Sequence, residues 1–129
     1  MINPLNNFIH WFEIPVEDFD RAKTFYERVF HIRLEEVQRR NLRFGLFPRK
    51  DKGPGGAIVK GGDNQPGEHG SLLYLNSENR IQELLQNVRK AGGQVLCGKQ
   101  PIDEDGSIYG FYAIFIDTEG NRIGLYSGD

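Results

Sequence analysis

Apolar and polar positions follow two rhythms along this chain, and each rhythm occurs twice. From Phe8 to Ile14 side chains alternate between faces, His10, Phe12 and Ile14 on one and Ile9, Trp11 and Glu13 on the other, which predicts a strand. Pro15 is expected to stop its pairing. Then Phe19, Ala22, Phe25, Tyr26, Val29 and Phe30 recur at helical spacing, so Asp18 to Phe30 reads as an amphipathic helix capped by Asp18. The second occurrence runs from Ser71 to Leu75 as a strand and from Asn79 to Ala91 as a helix. Its stripe is Ile81, Leu84, Leu85 and Val88, with Asn79 and Gln82 at capping-box spacing and Gly92-Gly93 at the end.

Shorter strands complete each half. Leu34 to Arg39, Leu42 to Phe47 and Gly56 to Lys60 follow the first helix; Gln94 to Cys97, Phe111 to Asp117 and Arg122 to Tyr126 follow the second. Phe19, Ala22 and Tyr26 superpose on Ile81, Leu84 and Val88 at one constant offset, so the repeat is βαβββ against βαβββ. Neither half can bury a sheet face alone, so the copies must pack together and a pocket is expected at their seam. The expected fold is α+β: one domain over residues 1–129, with modules at about 7–61 and 70–127 forming a curled, mostly antiparallel sheet around a cavity. The glycine-rich stretch Gly61 to Gly70 is its linker.

At 129 residues the chain can bury a core without disulfide staples, and its single cysteine, Cys97, excludes an intrachain disulfide and reads as a buried, inert thiol. A net charge of -2 with interspersed signs argues against nucleic acid or anionic membrane as partner and leaves small molecules. No basic start or long apolar stretch is present in the sequence, so a cytoplasmic location is expected. The glycines between Arg49 and Gly55 do not make a phosphate loop, because a strand pattern follows them rather than a helix.

The run from Trp11 to Tyr26 (WFEIPVEDFDRAKTFY), together with Asp117-Thr118-Glu119-Gly120-Asn121-Arg122-Ile123-Gly124-Leu125, resembles the vicinal oxygen chelate superfamily of glyoxalases, bleomycin-resistance proteins and dioxygenases. The resemblance implies paired βαβββ modules around a cavity, often in a homodimer. It also implies, for metal-using members, a divalent ion held by His or Glu on the first strand and Glu on the last strand of each module. Matched residue by residue, those positions fall at Trp11, Leu72 and Gly124, and the segment from Gly55 to Gly62 offers no Asp, Glu or His. His10 is one residue out of register and points through the other face. No cofactor is therefore expected.

What those strands offer instead is Trp11, Glu13, Leu72, Tyr74, Asn76 and Tyr126, which alternation places on the cavity face: apolar walls with a few directional polar groups. Glu13 is the candidate acceptor or general base, its pKa raised by burial unless Lys60 or Arg122 pairs with it. The alternatives are a divalent-metal-dependent lyase, isomerase or dioxygenase using His31 or His69, and a protein that sequesters a planar compound without turnover. The glycine-rich segment Gly98 to Gly110 reads as a lid over the cavity. The apolar strand Phe111 to Ile116 needs cover on both faces, which predicts a homodimer.

Overall fold

Ile14, Phe25, Leu84 and Phe115 come from different elements of both modules yet lie in one buried cluster, each no more than 1% exposed. Burying an apolar side chain of this size contributes about 1.5–3 kcal/mol. The single core is thus what holds the repeats together. The computed structural model describes residues 7–104 and 106–129. Residues 1–6, the start of the expected domain, fall outside the described residues.

The first module runs β1 (Trp11–Pro15), α1 (Phe19–Phe30), β2 (Glu35–Arg39), β3 (Leu42–Leu46) and β4 (Gly55–Lys60). The second runs β5 (Leu73–Asn76), α2 (Ile81–Lys90), β6 (Gln94–Glu104), β7 (Ser107–Ile116) and β8 (Arg122–Ser127). Each module builds a four-stranded sheet, in the orders β1-β4-β3-β2 and β5-β8-β7-β6. One pair in each is parallel, β1 with β4 and β5 with β8, and the rest are antiparallel. The expected α+β repeat is therefore present, as two mixed sheets that do not close on one another. No helix among the described residues is long and apolar enough to cross a membrane.

Helix α1 forms as its pattern requires. Asp18 caps it by accepting the Arg21 N–H at 3.0 Å. His31 ends it in the left-handed conformation, at φ 55, where the backbone geometry usually asks for glycine. Helix α2 differs from the capping-box expectation: it begins at Ile81, and Arg80 at its N-cap makes no side-chain cap bond. Asn79 is turned elsewhere. Its Oδ1 accepts from Ser127 Oγ at 3.0 Å and from the Gly128 N–H at 3.1 Å, holding the end of β8.

Three further expectations need correction. Pro15 does not stop pairing, because β1 runs parallel to β4 with Pro15 opposite Val59, and the ladder continues when Val16 N–H donates to Val59 O at 2.9 Å. Gly98 to Gly110 is not a loop: nearly all of it belongs to the β6–β7 hairpin, whose register shifts between Val95 and Cys97, Cys97 and Gln100, and Pro101 and Asp103. Bulges admit the glycines, and β6 is the outer strand of its sheet, where Pro101 costs no ladder bond on its free side. On that same edge Cys97 is half-buried, not fully enclosed.

Candidate functional site

The outermost strands of the two sheets at the seam, β1 and β5, flank a recess of about 530 Å³. Trp11 and Glu13 wall it on the β1 side, Leu73 and Arg122 on the β5 and β8 side, and His69 and Ser71 of the linker along its rim. Asn121 assembles these pieces. Buried in the final turn, it donates from Nδ2 to Pro15 O at 2.7 Å, and its Oδ1 accepts the Gly67 N–H at 3.0 Å. One amide thus ties the end of β1, the linker and the start of β8 around the recess.

Inside it, Trp11 Nε1 donates to Glu13 Oε2 at 3.3 Å, so the indole orients the carboxylate as well as supplying a flat wall. The Arg49 guanidinium lies 5.9 Å from the Trp11 ring centroid and lines a different groove from the recess. Glu13 is exposed. Among the described residues it forms no ion pair; Arg122 shares the recess without touching it, and Lys60 faces the other side of β4 from Ala57, the partner of Glu13. Arg122 is half-buried, and its Nε is sealed from solvent with no hydrogen-bond partner.

The six candidate residues do not share one cavity. Trp11 and Glu13 line the seam recess, whereas Tyr74, Asn76 and Tyr126 do not. In parallel register Tyr74 lies opposite Gly124 and Asn76 opposite Tyr126, and both tyrosines are exposed, Tyr74 at 51%. Tyr74 stands edge-on to Tyr112 with ring centroids 6.4 Å apart. Asn76 instead lines a groove with Phe12 and Phe47, and Leu72 is half-buried just before β5. Alternation identified a face, but the two sheets part between β1 and β5, so that face is not one enclosed wall. Asn121 and the linker apart from His69 were missed as pocket residues, and Arg122 was expected only as a cation to pair with Glu13. Arg122 was legible, since it lies two residues from Gly124 on the same face of β8.

At the superfamily's last-strand ligand position the geometry is decisive locally. A Cβ on Gly124 would stand 2.5 Å from the Tyr74 ring, so no side chain of any kind fits there without displacing it. The corresponding partner of Glu13 on β4 is Ala57, fully buried and without a donor atom. Among the described residues, no three His, Cys, Asp or Glu side chains converge to hold an ion. His10 is exposed ahead of β1, His31 closes α1, and His69 sits exposed on the recess rim.

A family model described as the Glyoxalase/Bleomycin resistance protein/Dioxygenase superfamily matches residues 8–125. The chain belongs to that superfamily. Solved structures share its fold. A glyoxylase/bleomycin resistance protein/dioxygenase domain from Frankia sp. EAN1pec is 18% identical, with 98% of this chain and 100% of that one covered and a TM-score of 0.71. A glyoxalase/bleomycin resistance protein from Albidiferax ferrireducens T118 is 20% identical, covering 93% and 98%, with a TM-score of 0.67. A glyoxalase I mutant from Zea mays is 17% identical over 91% of this chain but only 45% of its own, with a TM-score of 0.69. No curated protein matches the chain. At these identities the likeness establishes fold and superfamily and leaves the chemistry to the site.

Proposed function

We propose that this protein binds a small organic molecule in the seam recess and does so without the superfamily's divalent ion. The observation that carries the reading is the pairing of Trp11 with Glu13 on the recess wall, an aromatic plate beside a carboxylate that it orients. Such a wall stacks a planar group and accepts one directional hydrogen bond. The donor set supports the metal-free part: Trp11, Leu72 and Gly124 stand at the ligand positions, and the Tyr74 ring occupies the space that a residue at 124 would need. Glu13 acts as an acceptor for the bound molecule and, if the protein turns it over, as the general base.

The reading extends to a homodimer. Tyr74, Tyr126, Leu96, Ile108 and Tyr109 are all at least 40% exposed on the second sheet and its hairpin, apolar side chains that a partner surface would cover. A second copy is the cover that a superfamily built on paired modules supplies. Sedimentation of the parent should give twice the chain mass. A Tyr109→Glu variant should shift toward the single mass, and a parent that stays monomeric at high concentration removes this part of the proposal.

The binding reading is tested by screening metabolites and divalent cations for a rise in melting temperature, since a ligand of the folded state stabilises it. A metabolite hit weakened at least tenfold by Glu13→Gln, with nickel, zinc, iron and manganese giving no shift and no stoichiometric content, is the expected result. Stoichiometric metal in protein purified without chelator would overturn it in favour of a glyoxalase-type metalloenzyme.

A further inference from the structure

Arg122 stands out because it brings a positive charge to the wall of the seam recess and forms no ion pair there among the described residues. A guanidinium is protonated at any physiological pH and has five donors in a fixed fork. Here the Nε donor is out of reach of water and has no acceptor, and among the described residues the side chain makes no ion pair. The natural candidate, Glu13, lines the same recess but forms no ion pair with Arg122; its Oε2 accepts from Trp11 Nε1 and its Oε1 remains open. Buried donors are ordinarily satisfied, and a charged donor left without an acceptor is costly to the fold. The two Nη groups are not sealed in this way and make no hydrogen bond among the described residues, so they are the donors that an acceptor arriving from the recess would meet.

We infer that Arg122 is the anion-binding residue of the recess and that the ligand is a planar organic acid, its carboxylate on the Arg122 fork and its ring against Trp11. The inference rests on the seam recess being the ligand pocket, as proposed above, and adds the ligand's charge and the residue that selects it. Position supports the assignment. Arg122 opens β8 directly after Asn121, whose amide is fixed to Pro15 O and to the Gly67 N–H, so the backbone that carries the guanidinium is held against the opposite wall. Arg122 also lies opposite Ile116 of β7, an apolar neighbour that offers the charge no relief. A carboxylate matches the fork in two parallel hydrogen bonds, whereas the isosteric amide presents one acceptor and one surplus donor. Glu13 then sits across the recess as acceptor for a hydroxyl or amine on the far side of the ring and disfavours a second acidic group there.

The chain has a single tryptophan, and it is the recess wall itself, so its fluorescence reports occupancy directly. The probes are 4-nitrobenzoate and 4-nitrobenzamide, equal in shape and both quenchers of indole emission. The parent should bind the acid at least tenfold more tightly than the amide. Arg122→Met should abolish that preference while still taking up the amide, Arg122→Lys should keep part of it, and Arg49→Met, removing the other arginine near Trp11, should leave it intact. Uptake of the amide by Arg122→Met, with a melting curve as cooperative as the parent's, shows that the variant is folded. If acid and amide bind alike in the parent, or if the preference survives Arg122→Met and disappears with Arg49→Met, the Arg122 inference is wrong while the pocket reading stands. If neither probe perturbs Trp11 at millimolar concentration, both fall.

Discussion

Glu119 in the last turn and Arg21 in the first helix form a two-bond ion pair, with Arg21 Nε 2.8 Å from Glu119 Oε2 and Arg21 Nη2 3.1 Å from Oε1. The same carboxylate accepts the N–H groups of Glu17 and Asp18 at 3.0 and 2.8 Å, so a residue of the second module caps a helix of the first. Its side chain is fully buried. The contact joins modules that the hydrophobic core already holds, and it fixes the angle at which the final turn meets β1 beside the recess.

Glu119→Gln keeps the shape of this cap but removes its charge, leaving Arg21 and two helix-end donors with a weaker acceptor. Hydrogen bonds to a charged group contribute about 1.5–3 kcal/mol each net, so the variant should lose about 2–3 kcal/mol. A urea midpoint unchanged from the parent, with the same slope, would show that the cap contributes nothing.

The pair also sets a pH dependence. Burial pushes the Glu119 carboxyl up, but the Arg21 fork and the helix N–H groups outweigh it and hold the pKa at about 2, below the ordinary 4.5. An acid whose folded pKa is depressed stabilises the fold above its unfolded pKa, and that contribution is lost as pH falls from about 4.5 toward 2. Asp117 acts with the opposite sign, since burial raises its carboxyl against the bonds from Tyr26 and Asn121. The difference between parent and Glu119→Gln isolates the cap: their stabilities should differ most near neutral pH and converge toward pH 2. A constant difference across that range would contradict the assignment.

Tyr26 tests the neighbouring buried network. Its hydroxyl donates to Asp117 Oδ2 at 2.6 Å in the core, and Asp117 Oδ1 accepts the N–H groups of Glu119 and Asn121 at 2.8 and 2.9 Å, shaping the turn. Tyr26→Phe should cost about 1–3 kcal/mol by leaving a buried carboxylate short of a donor, and it should raise the Asp117 pKa further. Thermal melts read the first effect and carboxyl titration by NMR the second.

Gly124 tests the crowding that excludes a side chain at the superfamily's ligand position. Gly124→Ala should destabilise by about 1–3 kcal/mol, because the Cβ meets the Tyr74 ring. In a Tyr74→Ala background the same substitution should cost much less. A double-mutant cycle with no coupling would show that Tyr74 yields freely and that a larger residue is tolerated there.

Much of this protein follows from its chain alone. The stripes from Phe19 to Phe30 and from Ile81 to Val88 are one face of a helix whatever surrounds them, because a period near 3.6 allows no other burial, and motif matching from Trp11 to Tyr26 and from Asp117 to Leu125 names the superfamily. Strand alternation put Trp11 and Glu13 on one face of β1, but the recess at the edge of that strand is lined by Phe12 and Ile14 of the other face as well. Only the folded structure decided the rest. Pro15 pairs because β1 is an outer strand and the missing N–H falls on its free side, Asn79 binds the end of β8 instead of capping α2, and Gly98 to Gly110 lies in a bulged hairpin because an outer strand tolerates what a central one does not. Arg122 and Glu13 share one recess, and Tyr74 and Tyr126 lie outside it, because the sheets part at β1 and β5. Local periodicity assigns a residue to a face, but which faces meet depends on contacts between residues about a hundred positions apart, such as Asn121 with Pro15, and no local pattern encodes them.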